Sequence, residues 1–191
     1  GEVSNIRQAV KPVVAQDSES ELIYVNFSKD DFQLGGSSLA QVLDKIGNDV
    51  PDVKDTEYFK NCFNTLQSLI EQGLVIAGHD VSAGGLITTL LEMTFSNCEG
   101  GLNINLPEFK NNDLISVAFS EQPSVVIQVK DSKVKEILSN NNIDFVVIGK
   151  PQDKREITLK KDEESYNLDI NVLRDVWYKS SYLLDRKQSG E

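Results

Sequence analysis

The sequence predicts an α/β domain of the α+β type, a layered sandwich of one mixed sheet with packed helices. Three observations predict it. Short runs of β-branched and aromatic residues alternate with helix-period segments along the chain. Two adjacent strand patterns near the C-terminus, 155–160 and 166–170, read as a hairpin, which makes an all-parallel sheet unsuitable. The chain has 191 residues with 39% hydrophobic and 26% charged, which is enough for one core and too apolar for disorder.

Taken in order, residues 1–20 read as a polar connecting arm, broken by Pro12 and an acidic cluster at 17–21. Residues 22–27 read as a strand and 29–33 as a loop. Gly35-Gly36-Ser37-Ser38 leads into a predicted helix with Leu39, Val42, Leu43 and Ile46 at helical spacing. Ser37 or Ser38 is a natural N-cap, and Gly47 and Asn48 stop the helix. The next helix places Phe59, Cys62, Phe63, Leu66, Leu69 and Ile70 on one face, capped by Asp55 or Thr56 and ended by Gly73. Residues 74–77 form a short apolar strand. A third helix carries Leu86, Ile87, Leu90, Leu91 and Phe95. Residues 102–106 read as a strand, 112–119 as a helix, 124–129 as a strand, 132–140 as a helix and 144–148 as a strand. A last helix over 171–186 sets Leu173, Val176, Trp177, Ser180 and Leu184 on one side.

Composition bounds the function. The formal net charge is -11, so no nucleic acid and no membrane is expected as main partner, because both need a basic footprint. No apolar stretch approaches the roughly 18–20 residues of a membrane span, and no signal peptide opens the chain. The two cysteines, Cys62 and Cys98, fit reduced thiols of a cytoplasmic protein rather than a disulfide framework. Gly1 in place of Met, and a polar helical end, suggest a segment of a longer polypeptide. The acidity also sets a question: phosphate handling would need positive charge from a metal, from backbone N–H groups or from another chain.

One segment carries the chemistry. The run Gly78-His79-Asp80-Val81-Ser82-Ala83-Gly84-Gly85 joins an apolar strand to a helix. Ligands sit at strand carboxyl ends in open α/β sheets. Asp80 is a hard oxygen ligand of the kind magnesium takes beside phosphates. Ser82 offers a hydroxyl. Gly84 and Gly85 permit close backbone approach, and the helix N-terminus offers N–H groups with a dipole term of about 0.3–1 kcal/mol. The same pattern is met if Asp80 or Ser82 only caps the helix and the glycines only make the turn. The segment lacks the P-loop ending and the dinucleotide glycine spacing. With a single histidine and scattered cysteines there is no zinc set and no convincing Ser-His-Asp triad.

Other residues read more plainly. His79 fits a neutral ring bonded to backbone. Glu121 fits a capping role or a substrate contact, Gly35 and Gly36 an approach to a ligand or to a neighbouring domain. Glu92 fits a surface residue or packing partner, and Trp177 and Tyr182 fit core or interface anchors.

The run from Gly78 to Leu86, followed by Leu90-Leu91-Glu92-Met93, resembles the His-Asp-x-Ser-x-Gly-Gly-Leu signature of the aminoimidazole ribonucleotide synthetase superfamily, in its carboxyl-terminal domain. Leu34-Gly35-Gly36-Ser37, the later Val50-Pro51-Asp52-Val53, Phe119-Ser120-Glu121, and Leu173-Arg174-Asp175-Val176-Trp177 with Ser180-Ser181-Tyr182 narrow the resemblance. They are similar to the long-form phosphoribosylformylglycinamidine synthase family, at the second of its two such domains. Ala83 stands where many members carry Asp, which removes the expectation of a second carboxylate there.

The resemblance implies a fold like the aminoimidazole ribonucleotide synthetase carboxyl-terminal domain. It implies a domain over 21–170 and a helical linker over 171–191 toward a glutaminase domain. The implied activity is an ATP- and glutamine-dependent ligase step of purine biosynthesis. Asp80 would be a magnesium ligand, and Ser82, Gly84 and Gly85 would meet an ATP or ADP molecule at an auxiliary site. No catalytic residue is implied within the chain. Its partners would be the remaining synthase domains and the glutaminase domain of the same polypeptide, without which it would be inactive. Two other expectations compete: another ATP-dependent member of the superfamily, and a non-catalytic interaction module.

Overall fold

The computed structural model describes residues 5–106, 109 and 112–190. The first four residues of the expected arm, the final residue of the expected linker and the side chain of Ser180 lie outside that description. In chain order the elements are β1 (Glu21–Asn26), α1 (Ser38–Val42), α2 (Thr56–Glu71), β2 (Ala77–Val81), α3 (Gly85–Phe95), β3 (Gly101–Asn105), α4 (Leu114–Phe119), β4 (Ser124–Val129), α5 (Lys133–Asn140), β5 (Phe145–Gln152), β6 (Glu156–Lys161), β7 (Glu164–Asp169) and α6 (Ile170–Ser189).

The strands form one seven-stranded sheet in the order β2-β4-β1-β5-β3-β6-β7. Among the described strand pairs β3–β6 is parallel, and β1–β4, β1–β5, β2–β4, β3–β5 and β6–β7 are antiparallel. The mixed sheet and the C-terminal hairpin are therefore as the sequence predicts. Period-two alternation on the central strands serves two cores. Leu22 and Tyr24 of β1 pack with Leu86, Leu90 and Met93 of α3 and Val117 of α4. Ile23 and Val25 pack on the opposite face with Cys62 and Leu69 of α2 and Val134 and Leu138 of α5. A Leu or Ile removed from water in this way stabilises the fold by about 1.5–3 kcal/mol.

Four local readings shift. The apolar run at 74–77 does not form the ladder by itself. Leu74 N–H bonds Leu69 O as α2 closes (3.0 Å), and pairing with β4 spans Ala77–Val81. A leucine just past a helix end packs back on that helix, so His79 and Asp80 lie within the strand rather than after it. Second, β2 is an antiparallel edge strand, so the rule for ligand sites at parallel strand ends does not apply here. Third, α1 stops at Val42, because Asp44 turns left-handed (φ 55) and Gly36 N–H bonds Ile46 O at 2.8 Å. The return leaves Val42, Leu43 and Ile46 exposed.

Fourth, the segment expected as an arm is stitched to the body. Val14 is buried, with its N–H on Met93 O at 2.9 Å, and Lys11 pairs with Ala77 beside β2. At the other end, α6 keeps Val176 and Leu184 exposed and touches the body through Trp177, whose ring centroid lies 5.3 Å from that of Phe95. Among the described residues no helix is long and apolar enough to cross a membrane. Cys62 and Cys98 are both free.

Candidate functional site

The strand–turn–helix expected to carry chemistry is present as β2, the turn at 82–84, and α3. Register places His79 opposite Val126 and Asp80 opposite Val125. Cross-strand partners share a face, so His79 points to the α3 side and Asp80 to the α2 side of the sheet edge. The Asp80 carboxylate is 74% exposed, with Oδ1 3.5 Å from His79 Nδ1. Ser82 is exposed as well.

The glycines are set by the protein's own backbone. Gly84 (φ 88) and Gly85 (φ 73) both take left-handed conformations. A Cβ on Gly85 would lie 2.6 Å from Phe119 Cα and 2.7 Å from Ala118 O, so glycine is what lets α3 start against the end of α4. No side chain caps α3. Gly85 N–H donates to Ser82 O at 3.0 Å. Gly84 N–H donates to Glu121 Oε1 at 2.7 Å. The same oxygen accepts from Ser38 N–H at 2.7 Å. The N–H groups of both glycines thus have protein acceptors.

Burial by itself would raise the Glu121 carboxyl; the Gly84 and Ser38 N–H groups, with the Ser38 side chain, outweigh it and the net direction is down. A depressed folded-state pKa adds stability above the ordinary glutamate range and loses it as pH falls through the folded value. Urea unfolding should therefore show Glu121→Gln and the unsubstituted chain converging in stability as pH drops from about 6 to about 3. A stability difference that instead widens toward acid would contradict this sign.

His79 anchors a second group of polar side chains. Its Nδ1 lies 2.7 Å from Asp80 O. A carbonyl only accepts, so Nδ1 carries the proton. Its Nε2 stands 3.6 Å from Glu92 Oε2 on α3. Glu92 Oε1 in turn accepts from Trp177 Nε1 of α6 at 3.0 Å. A cavity of about 600 Å³ opens here, lined in part by His79, Glu92, Arg174 and Trp177. Sequence spacing placed His79 and Trp177 on their elements but carried no signal that Glu92 joins them. Among the described residues no three His, Cys, Asp or Glu side chains cluster to hold a metal. Magnesium typically keeps several waters and uses one or two carboxylates with phosphate oxygens, and an exposed Asp80 suits that partial role.

A mixed sheet layered between helices, with an Asp-x-Ser turn feeding a helix at its edge, makes this an α+β layered domain. The chain belongs to the family "AIR synthase related protein, C-terminal domain", whose model matches residues 20–162. Among curated relatives it is 38% identical over 172 residues to the probable phosphoribosylformylglycinamidine synthase, chloroplastic/mitochondrial, of Arabidopsis thaliana, covering 87% of this chain and 12% of that protein. It is 34% identical over 198 residues to phosphoribosylformylglycinamidine synthase of Dictyostelium discoideum, covering 93% of this chain and 14% of that protein. The chain thus spans about one-seventh or less of these relatives' length. Its fold is similar to Thermotoga maritima PurL complexed with ATP, at TM-score 0.65, 13% identity, 88% of this chain and 28% of that one. The same PurL complexed with ADP gives 0.64, at 13% identity, 88% of this chain and 27% of that one.

Proposed function

We infer that this chain is one domain of a phosphoribosylformylglycinamidine synthase and carries part of a magnesium–nucleotide site. The observation that carries this is the coincidence of two facts. The curated relatives match at 34–38% identity over most of the chain, and the matched segment presents Asp80 and Ser82, both exposed, on one strand–turn–helix.

The full reaction makes formylglycinamidine ribonucleotide from formylglycinamide ribonucleotide, ATP and glutamine. ATP phosphorylates the amide oxygen, and ammonia released from glutamine displaces phosphate. Bound Mg²⁺ would neutralise phosphate charge. Asp80 is the carboxylate for that ion, and the Ser82 hydroxyl is the donor for a phosphate oxygen. Gly84 and Gly85 contribute through the side-chain-free shape of the turn, since their N–H groups are engaged within the protein. The site is auxiliary, holding ADP or ATP rather than turning it over, and no catalytic residue is assigned to the chain.

The proposed partners are the remaining synthase domains and a glutaminase domain of the same polypeptide. Exposed Val42, Ile46 and Val50 near α1, and Val176, Tyr182 and Leu184 on α6, support such contacts. The domain spans 21–170, with 171–191 as the linker helix. The proposed location is cytoplasmic, whereas the Arabidopsis thaliana relative is named as a chloroplastic/mitochondrial protein. The test is a chimera of the Dictyostelium discoideum relative in which this chain replaces the matched segment. It should form the amidine, and its Asp80→Ala form should lose bound nucleotide. A chimera that folds but forms no amidine would count against the assignment.

A further inference from the structure

We propose that Glu121 is a positioning residue that couples two remote loops and so sets the shape of the Ser82–Gly85 turn. Its Oε1 accepts from Gly84 N–H and Ser38 N–H, both at 2.7 Å, from partners 37 and 83 residues away in the chain. Each donor opens a helix. Ser38 is the first residue of α1, behind its cap Ser37. Gly84 is the N-cap of α3, which no side chain caps. Three motifs that are separate in sequence therefore meet at one oxygen: Leu34–Ser38, Ser82–Gly85 and Phe119–Glu121. Ser37 is held in turn, its hydroxyl donating to Leu34 O at 2.7 Å and accepting from Ala40 N–H at 3.2 Å. The first loop is thereby rigid enough to transmit its position. One oxygen serving two N–H groups has a narrow geometric range, so displacing one donor displaces the carboxylate from the other.

The bearing of this coupling on ligand binding rests on the function proposed above; the coupling itself does not, and amide exchange reads it with no ligand present. The decisive substitution is Ser38→Pro. Proline is accepted at a first helical position, and Ser37 already has the extended conformation (φ -62, ψ 159) that a residue before proline adopts. It removes the N–H together with the hydroxyl, which Ser38→Ala removes alone, and leaves Glu121 and Gly84 unchanged.

In the 191-residue chain, followed by amide hydrogen exchange, Ser38→Pro should speed exchange of Gly84 N–H by about tenfold, the scale of one hydrogen bond to a charged group. Ser38→Ala keeps the N–H and removes only the hydroxyl, so it should speed that exchange by clearly less than Ser38→Pro does. Glu121→Ala should remove the protection, and Glu121→Gln, which keeps an acceptor oxygen, should restore part of it. Unchanged exchange at Val126 in the sheet core shows that each variant is folded. Gly84 exchange that is insensitive to Ser38→Pro, or that is the same in Glu121→Gln and Glu121→Ala, overturns the proposal.

Discussion

Gly85→Ala should destabilise the chain by about 3–5 kcal/mol, whereas Gly84→Ala should cost less, about 2–3 kcal/mol. Both residues are left-handed, at φ 73 and φ 88, so a side chain at either carries the left-handed penalty. They differ in what the new carbon meets. At Gly85 it meets Phe119 Cα at 2.6 Å and Ala118 O at 2.7 Å, main-chain atoms that move only if α4 moves. At Gly84 it meets Thr88 Oγ1 at 2.3 Å, which can rotate away and give up its 3.1 Å bond to Gly84 O, and Thr88 Cβ at 2.9 Å, which needs a small shift of the turn but not of α4. Urea unfolding midpoints of the two variants check this. Equal losses would mean that α3 shifts against α4 more easily than the packing indicates. The difference also separates two roles for the pair: Gly85 is required by helix packing whether or not a ligand binds, and Gly84 is the position where a functional demand for glycine can be read.

Gln128→Leu should cost about 2–4 kcal/mol and release the N-terminal segment. The Gln128 side chain is fully buried. Its Oε1 accepts from Ala15 N–H at 2.8 Å, and its Nε2 donates to Ala15 O at 2.7 Å and Ser20 Oγ at 2.6 Å. Leucine fills similar space but leaves the Ala15 N–H without its partner and takes from Ala15 O one of two donors, the other being Asp17 N–H at 2.9 Å. The segment they hold also covers the outer edge of β2, where Gly78 N–H donates to Lys11 O at 3.0 Å. Faster exchange at Gly78 should therefore accompany the loss in urea stability. Full protection of Gly78 in this variant would show that the segment is held independently of Gln128.

The helix of Phe59, Cys62, Leu66, Leu69 and Ile70 was legible because its one-sided spacing is local, although Phe63, expected on the same face, is exposed at its margin; of the two expected caps, Asp55 and Thr56, it is the Asp55 side chain that accepts from Tyr58 N–H. The strand 124–129 was legible because a short β-branched run needs no distant information. The packed N-terminal segment was not. Its place depends on Gln128, over a hundred residues on, and a glutamine in a strand gives no sign of what it will bind. The strand–turn–helix of the candidate site was legible as local structure and not in its geometry. His79, Asp80, Ser82, Gly84 and Gly85 do share one strand–turn–helix. The extent of β2 put His79 and Asp80 on opposite faces, however, and the clasp of Glu121 on Gly84 and Ser38 is a tertiary contact with no local pattern. Helical spacing over Leu39 to Ile46 misled because a chain return at Asp44 overrides periodicity in so short a helix.

The acidity of the chain, -11 overall, fits a site that meets phosphate through a metal held by a carboxylate rather than through lysines or arginines. The most direct measurement of that claim is the nucleotide and magnesium content of the purified Dictyostelium discoideum chimera, released by denaturation, in its Asp80-bearing and Asp80→Ala forms. The account predicts a stoichiometric amount of adenine nucleotide with Mg²⁺ in the first form and its loss in the second, with both forms folded. Equal nucleotide and magnesium in the two forms would contradict it.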